Sequence, residues 1–279
     1  MNLLLEEVAA RHPAASSQLP PALGPVSLRV AAGEQLAIIG PSGAGKTTLL
    51  QVLACCLPPV AGHFQVSEVA PWRLSRRALH RLRASLFLAP QTPPLPPRQR
   101  VVTTVLAGRL PGMTWWASVR QWIKPAALPE AHGALARFGV ADKLFHRVDR
   151  LSGGERQRVG LARALVSPAR LWLVDEPLSA LDPTRARQVL DALQLAARER
   201  GCTLVASLHQ VDLALSCFPR IVGLRDGRVM FDAPATNVTP DMLAALYAQH
   251  EHELHPGTAA PADEPATPAS PAVVAMTCR

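Results

Sequence analysis

The most restrictive feature of this sequence is a glycine-rich loop between an apolar run and a helix-forming segment. Residues 40–47 read Gly-Pro-Ser-Gly-Ala-Gly-Lys-Thr, which fits the pattern G-x-x-x-x-G-K-[ST], and they follow the strand-like run 35–39. Glycines let backbone N–H groups turn inward around an anion, and the positive end of the following helix, 47–57, favours the same charge. The alternative, a merely flexible turn, is disfavoured by the strand and helix on either side.

This loop pattern binds the phosphates of a nucleotide together with Mg²⁺. Lys46 would reach the β- and γ-phosphate oxygens, which makes it a candidate catalytic residue, and the Thr47 hydroxyl would bind the metal ion. The predicted ATP contacts from this loop are Gly40, Pro41, Ser42, Gly43, Ala44, Gly45, Lys46, Thr47 and Thr48.

The composition is that of a globular chain without a membrane span. Of the 279 residues 48% are hydrophobic and 18% are charged, and no stretch reaches the roughly 18 uninterrupted apolar residues that cross a bilayer. The first ten residues lack the basic flank and apolar block of a secretory signal. The net charge is +8, and nearly all of the positive residues are arginine. An arginine excess of this kind is explained more easily by the base composition of the genome than by binding to a polyanion, so no nucleic-acid partner is expected. A basic chain is also compatible with an anionic membrane face.

Strand-length apolar runs alternate with helix-length segments, which predicts a mostly parallel sheet covered by helices. The runs lie at 36–39, 86–88, 171–174, 203–208 and 220–224. Asp226 and Gly227 predict a hairpin turn after the last run. Asp182 and Thr239, each followed by proline, predict the starts of two helices. The five cysteines are odd in number and form no C-x-x-C, which favours buried thiols over disulfides or a zinc site.

Two acids follow the apolar run 171–174. Asp175 and Glu176 stand at the carboxyl end of this predicted strand, the edge where ligands bind in open α/β sheets. Neighbouring strand residues point to opposite sides, so the two carboxylates can act differently. Asp175 is predicted to hold Mg²⁺, commonly through water, and Glu176 to orient and deprotonate the attacking water. The alternative is a pair of acids that caps the turn at Pro177.

A second glycine turn opens another predicted helix. Residues 151–158 read Leu-Ser-Gly-Gly-Glu-Arg-Gln-Arg, and here the chain resembles the ATP-binding cassette (ABC) family, because further motifs follow in the family's order. Gln91 matches the Q-loop, residues 179–182 (Ser-Ala-Leu-Asp) match the D-loop, and His209 matches the switch histidine. The resemblance extends from residue 3 to about residue 248.

The resemblance implies an α/β fold: a P-loop NTPase (RecA-like) core with a mostly parallel sheet, an N-terminal antiparallel β subdomain and an inserted α-helical subdomain. The ATPase domain would occupy residues 1–254, with the core at about 1–91 and 159–235 and a C-terminal helix at about 239–250. The helical insert would occupy about 92–158. Residues 255–279, a mixture of Pro, Ala and Thr, are predicted to be a disordered tail.

The resemblance also implies a head-to-tail homodimer. Each ATP would lie between the loop 40–47 of one copy and the turn Ser152, Gly153 and Gly154 of the other. His209 would contact the γ-phosphate and steady Glu176. Gln91 would sense Mg²⁺ and water while its loop touches a membrane partner. Asp182 would complete the contacts with ATP.

Two features depart from the family pattern. Family members generally stack an aromatic ring on adenine from a loop near the N-terminus, yet no Phe, Tyr or Trp occurs before Phe64. His12 stands at that place, and its imidazole is the predicted adenine contact. The second departure is the proline-rich run 93–97 directly after Gln91, which predicts an unusually stiff partner-contacting loop.

Several stretches look more narrowly like the phosphonate-importer ATPases. They are residues 105–110, the Trp pair at 115–116, residues 208–212 and residues 221–228. That resemblance implies an ATPase that powers uptake of phosphonate or a related phosphorus oxyanion from the cytoplasmic face of the bacterial inner membrane. Separate permease subunits and a periplasmic solute-binding protein would complete the transporter. The competing readings are a cassette for another solute or an exporter, a soluble cassette acting on DNA or ribosomes, and a small-molecule phosphotransferase.

Overall fold

The computed structural model describes residues 1–11, 21–113, 116 and 127–248, so His12 and the predicted tail 255–279 lie outside the described residues. Within these ranges the strands are β1 (Leu3–Ala10), β2 (Leu23–Val30), β3 (Gln35–Ile39), β4 (Ala61–Val66), β5 (Leu86–Ala89), β6 (Leu171–Asp175), β7 (Thr203–Ser207), β8 (Arg220–Arg225) and β9 (Arg228–Pro234). The helices are α1 (Lys46–Leu53), α2 (Arg76–Ala84), α3 (Val101–Leu106), α4 (Leu128–Arg137), α5 (Gly153–Val166), α6 (Pro183–Glu199), α7 (Val211–Cys217) and α8 (Pro240–Leu246).

A six-stranded sheet forms the centre of the molecule, in the order β5-β6-β7-β3-β8-β9. All neighbouring pairs are parallel except β8 and β9, which are antiparallel and joined through Asp226 and Gly227. The predicted hairpin and mostly parallel sheet are therefore confirmed. Because β3, β7 and β6 lie side by side and run the same way, their carboxyl ends meet at one edge of the sheet.

Each face of this sheet is covered by a different layer. Along β6, Leu171 and Leu173 contribute to one hydrophobic cluster, and Trp172 and Val174 to the other, as the alternation of strand side chains requires. The first cluster also contains α1 and a separate antiparallel sheet of order β2-β1-β4. The second contains residues of α3 to α7. An α/β fold with an N-terminal antiparallel β sheet is therefore confirmed.

Within the described residues, the segment between the Q-loop glutamine and β6 is mainly helical. The start of α3 is fixed to the chain before α5, because the Val101 N–H donates to the His146 carbonyl at 2.9 Å and the Val102 N–H to the Leu144 carbonyl at 2.9 Å. α5 continues without a break through residue 158, where the helical insert was predicted to end. The exact division of the chain into core and insert stays a prediction.

Helix boundaries agree with the cap residues read from the sequence. Asp182 precedes α6 and its carboxylate accepts a hydrogen bond from the Arg185 N–H, while the Thr239 hydroxyl accepts one from the Met242 N–H at the start of α8. Both predicted starts are confirmed. α1 is shorter than the predicted 47–57, because it ends at Leu53 and Cys55 then takes a left-handed conformation with a φ of +56°.

The cysteines are not all buried. Among the described residues, Cys55 and Cys202 are buried, Cys217 is half-buried and Cys56 is exposed, so the expectation of buried thiols is wrong for Cys56. Within the same ranges every helix is too short or too polar to cross a bilayer.

We expect the neighbouring thiols Cys55 and Cys56 to react at very different rates. Burial raises the pKa of Cys55 to about 12, so almost none of it is thiolate, the reactive form, at pH 8. Iodoacetamide labelling of the native protein followed by mass spectrometry should modify Cys56 and leave Cys55 unmodified until the chain is denatured. Labelling of both thiols at similar rates in the native protein would contradict this.

Candidate functional site

The loop 40–45 has a backbone conformation that requires glycine at positions 40 and 45. Gly40 and Gly45 have positive φ values of +151° and +98°. A Cβ on Gly40 would stand 1.9 Å from the Leu224 carbonyl oxygen, and one on Gly45 would stand 2.8 Å from the Ala22 carbonyl oxygen. The loop is therefore held tightly between β8 and Ala22, the residue before β2, with the N-terminus of α1 directly behind it.

Lys46 lies over this loop. Its side chain is only 4% exposed, and its Nζ donates to the Gly40 carbonyl at 2.7 Å and to the Pro41 carbonyl at 3.1 Å. The ammonium group and the positive N-terminal end of α1 lie together at this loop, and both favour an anion. These groups fit the phosphate chain of a nucleotide.

The carboxylate of Asp175 meets Thr47 at the end of β6. The Thr47 hydroxyl donates to Asp175 Oδ2 at 2.8 Å, and the Ser207 hydroxyl donates to Asp175 Oδ1 at 2.6 Å. Asp175 is 4% exposed, so its orientation is fixed. A hydroxyl and a carboxylate are the hard oxygen ligands that Mg²⁺ prefers, and the two predicted metal-binding side chains are therefore adjacent.

Glu176 follows immediately and is surrounded by two other predicted residues. His209 Nε2 lies 2.6 Å from Glu176 Oε1, and the Gln91 amide nitrogen donates to Glu176 Oε2 at 2.7 Å. Burial raises the pKa of Glu176, but the hydrogen bond and charge of His209, together with the charge of Lys46, outweigh burial and lower its pKa overall. The carboxylate is therefore ionised at neutral pH and can accept a proton from water.

The second glycine turn forms the N-terminus of α5. The Ser152 hydroxyl accepts from the Glu155 N–H at 3.2 Å and the Glu155 carboxylate accepts from the Ser152 N–H at 2.8 Å, a complete capping box. The hydrogen bond from the Ser152 N–H lowers the pKa of Glu155 most. Burial opposes this shift, and smaller contributions from the Ser152 side chain and the positive Lys143 keep the pKa lowered overall. Ser152 and Gly153 are exposed, so this end of α5 is open to an anion from another molecule.

The contacts of Asp182 are with Arg185, in the first turn of the helix that it caps. Its carboxylate caps α6 and lies 3.5 Å from Arg185 Nε, with both side chains largely exposed. A contact between Asp182 and ATP stays a prediction, as does the adenine contact of His12.

Two residues of the site escaped the sequence analysis. Ser207 is paired with Asp175 in the ladder of β6 and β7, and its hydroxyl also accepts from the Glu176 N–H at 3.0 Å. Gln157, one turn into α5, bonds to the turn after Glu176. Ser207 could have been found as the last residue of the strand before His209. Gln157 belongs to the motif 151–158, but nothing local indicates that it contacts the turn after Glu176.

The fold and the convergence of a phosphate loop with two acids at the end of β6 define a P-loop ATPase. The family model described as ABC transporter matches residues 23–179, and the chain belongs to this family.

The chain is also similar, over all or most of its length, to particular members. It is 62% identical over 279 residues, 100% of both chains, to the phosphonates import ATP-binding protein PhnC of Polaromonas sp. strain JS666. It is 53% identical over 245 residues to the phosphonates import ATP-binding protein PhnC 2 of Pseudomonas aeruginosa strain UCBPP-PA14, which covers 88% of this chain and 91% of that protein.

Solved structures share the fold. The dimeric post-hydrolysis structure of an ATP-binding cassette bound to ADP and Pi has a TM-score of 0.71 and 26% identity, and covers 84% of this chain and 98% of that chain. The structure of cbiO1 from Clostridium perfringens has a TM-score of 0.70 and 24% identity, and covers 91% of this chain and 94% of that chain.

Proposed function

We propose that this chain is the ATP-hydrolysing subunit of an importer for phosphonate or a related phosphorus oxyanion. The observation that carries the proposal is the cluster at the edge of the sheet, where Glu176 contacts His209 and Gln91 beside the pair Thr47 and Asp175. The names of the relatives that match the whole chain support the importer and its solute.

In this proposal, the loop 40–47 and Lys46 bind the phosphates of ATP. Thr47, Asp175 and Gln91 hold Mg²⁺, which when bound neutralises charge on the phosphate oxygens. Glu176 accepts a proton from the attacking water, and His209 keeps that carboxylate oriented towards the γ-phosphate. Each of these residues is fixed by contacts within its own chain, so the site is largely organised before the nucleotide arrives.

The exposed turn at residues 152–154 supports a dimeric arrangement. Ser152 and Gly153 are exposed, and the neighbours of Gly153 and Gly154 within the chain are Ala180 and Leu181 of the turn after β6. Two copies facing opposite ways would bring this turn to the partner's phosphate loop, and water would be excluded from the γ-phosphate. Electrostatic stabilisation of the transition state is much stronger in such a closed site.

A groove beside Gln91 is the proposed seat of the permease. It lies between the proline-rich loop and the start of α5, and its lining includes Thr92, Leu95, Val148 and Arg156. The loop is tied to the opposite wall, because the Pro97 carbonyl accepts from the Asp149 N–H at 2.9 Å. A cytoplasmic loop of the permease in this groove would hold the ATPase on the cytoplasmic face of the inner membrane, with the periplasmic solute-binding protein on the other side.

Growth on different phosphorus sources tests the proposed function. Deletion of the gene should abolish growth on a phosphonate as sole phosphorus source and leave growth on inorganic phosphate unchanged. Complementation with the normal gene should restore growth, and complementation with Glu176→Gln should not. Normal growth of the deletion strain on phosphonates would contradict the proposed solute.

Purification of the tagged chain from membranes tests the proposed partners separately. Membrane-spanning subunits should be recovered with it in mild detergent. Recovery of ribosomes or nucleic acid without any membrane subunit would favour the soluble cassette instead.

A further inference from the structure

The backbone of Glu176 has a conformation that glutamate rarely adopts. Its φ is +45°, in the left-handed region, where the Cβ of a residue other than glycine is crowded. Such a conformation persists only when the surrounding contacts fix it. On its N-terminal side, the Glu176 N–H donates to both the hydroxyl and the carbonyl of Ser207, at 3.0 and 3.2 Å.

On the C-terminal side of Glu176, the fixing contacts come from the side chain of Gln157. Its side chain is buried, with 5% exposed, and its Nε2 donates to the Glu176 carbonyl at 3.3 Å and to the Ser179 hydroxyl at 2.8 Å. Its Oε1 accepts from the Ala180 N–H at 3.3 Å. Every hydrogen-bonding atom of the carboxamide is therefore used, and all three partners belong to the single turn that follows β6.

An apolar side chain of the same size would fill this space without holding the turn. The Glu176 carbonyl and the Ala180 N–H would lose their partner, and the backbone could relax towards the usual negative φ. The Glu176 carboxylate would then move from its position beside His209 and Gln91. We therefore propose that Gln157 is a positioning residue that fixes Glu176 for hydrolysis, an inference that rests on the proposed function.

Gln157→Met tests this directly, because methionine matches glutamine in length and cannot make these hydrogen bonds. We expect kcat for ATP hydrolysis to fall at least about tenfold, while KM for ATP stays within about twofold, because the phosphate loop is untouched. Gln157→Glu keeps the size and the acceptor for Ala180 but removes the N–H donors, and kcat should again fall about tenfold.

The double variant Gln157→Met with Glu176→Gln tests whether Gln157 acts through Glu176. If it does, the residual turnover of the double variant equals that of Glu176→Gln alone, because there is no base left to position. ATP-dependent dimerisation of the double variant, measured by size-exclusion chromatography, should match that of Glu176→Gln. A purely structural contribution would weaken dimerisation and raise KM.

Gln194→Met is the matched control. Gln194 is also a buried glutamine whose amide donates to a backbone carbonyl, that of Cys217, at 2.9 Å, but it lies on α6 away from Glu176. The kcat of Gln194→Met for ATP hydrolysis should stay within about twofold of the normal value. Equal losses in Gln157→Met and Gln194→Met, or rate losses that multiply in the double variant, would overturn the inference. Full turnover by Glu176→Gln would instead defeat the proposed function itself.

Discussion

Glu176→Gln should bind ATP normally and lose at least about a hundredfold in turnover, the contribution typical of a general base. Glutamine keeps the shape of the side chain and can still bond to His209, but it cannot accept a proton from the attacking water. In the native protein His209 and Lys46 lower the pKa of Glu176 against the effect of burial, which keeps the base ionised. Phosphate release under saturating ATP measures the loss.

Glu176→Gln should also accumulate as an ATP-bound dimer, because the two copies can still close around ATP but the ATP between them is no longer hydrolysed. Size-exclusion chromatography with ATP and Mg²⁺ would detect this dimer. Glu130→Gln is the matched control, since Glu130 forms an exposed ion pair with Arg109 and such pairs contribute little. Its turnover should be normal. If Glu176→Gln hydrolyses ATP at the normal rate, Glu176 is not the general base.

Most of the site could be predicted from the sequence, because its residues lie at or near the ends of predicted strands. Asp175, Glu176 and His209 each stand at the end of an apolar run or directly after one, and Thr47 follows the glycine loop that begins where the run 35–39 ends. Parallel strands bring such ends together. The sequence pattern predicts the runs and their direction. It does not predict their order, β5-β6-β7-β3-β8-β9, which decides which ends become neighbours.

The residues that escaped prediction depend on that order or on long-range packing. Ser207 reaches Asp175 only because β7 lies next to β6, and the two strands are far apart in the chain. Gln157 reaches the turn after Glu176 from a helix whose placement depends on the second hydrophobic cluster. The left-handed backbone of Glu176 is also invisible in the sequence, because glutamate has no preference for it.

Lys46→Ala should weaken ATP binding itself and not only turnover. The ammonium group is buried, close to the N-terminus of α1 and over the phosphate loop, so its attraction for the phosphates is poorly screened by water. A charge-assisted hydrogen bond of this kind contributes about 1.5–3 kcal/mol, which corresponds to a rise in Kd of about tenfold to more than a hundredfold. Equilibrium binding of a fluorescent ATP analogue measures this change.

Arg109→Ala provides the comparison for Lys46→Ala, because it removes a cation from an exposed ion pair with Glu130, away from the phosphate loop. Its Kd for the analogue should not change. Thermal unfolding without nucleotide shows whether Lys46→Ala is folded, and addition of ATP should raise its melting temperature less than that of the normal protein, because ligand stabilisation follows affinity. If the folded Lys46→Ala variant binds ATP as tightly as the normal protein, the loop 40–47 is not the phosphate site, and the assignments of Thr47, Asp175 and Glu176 that depend on it fail as well.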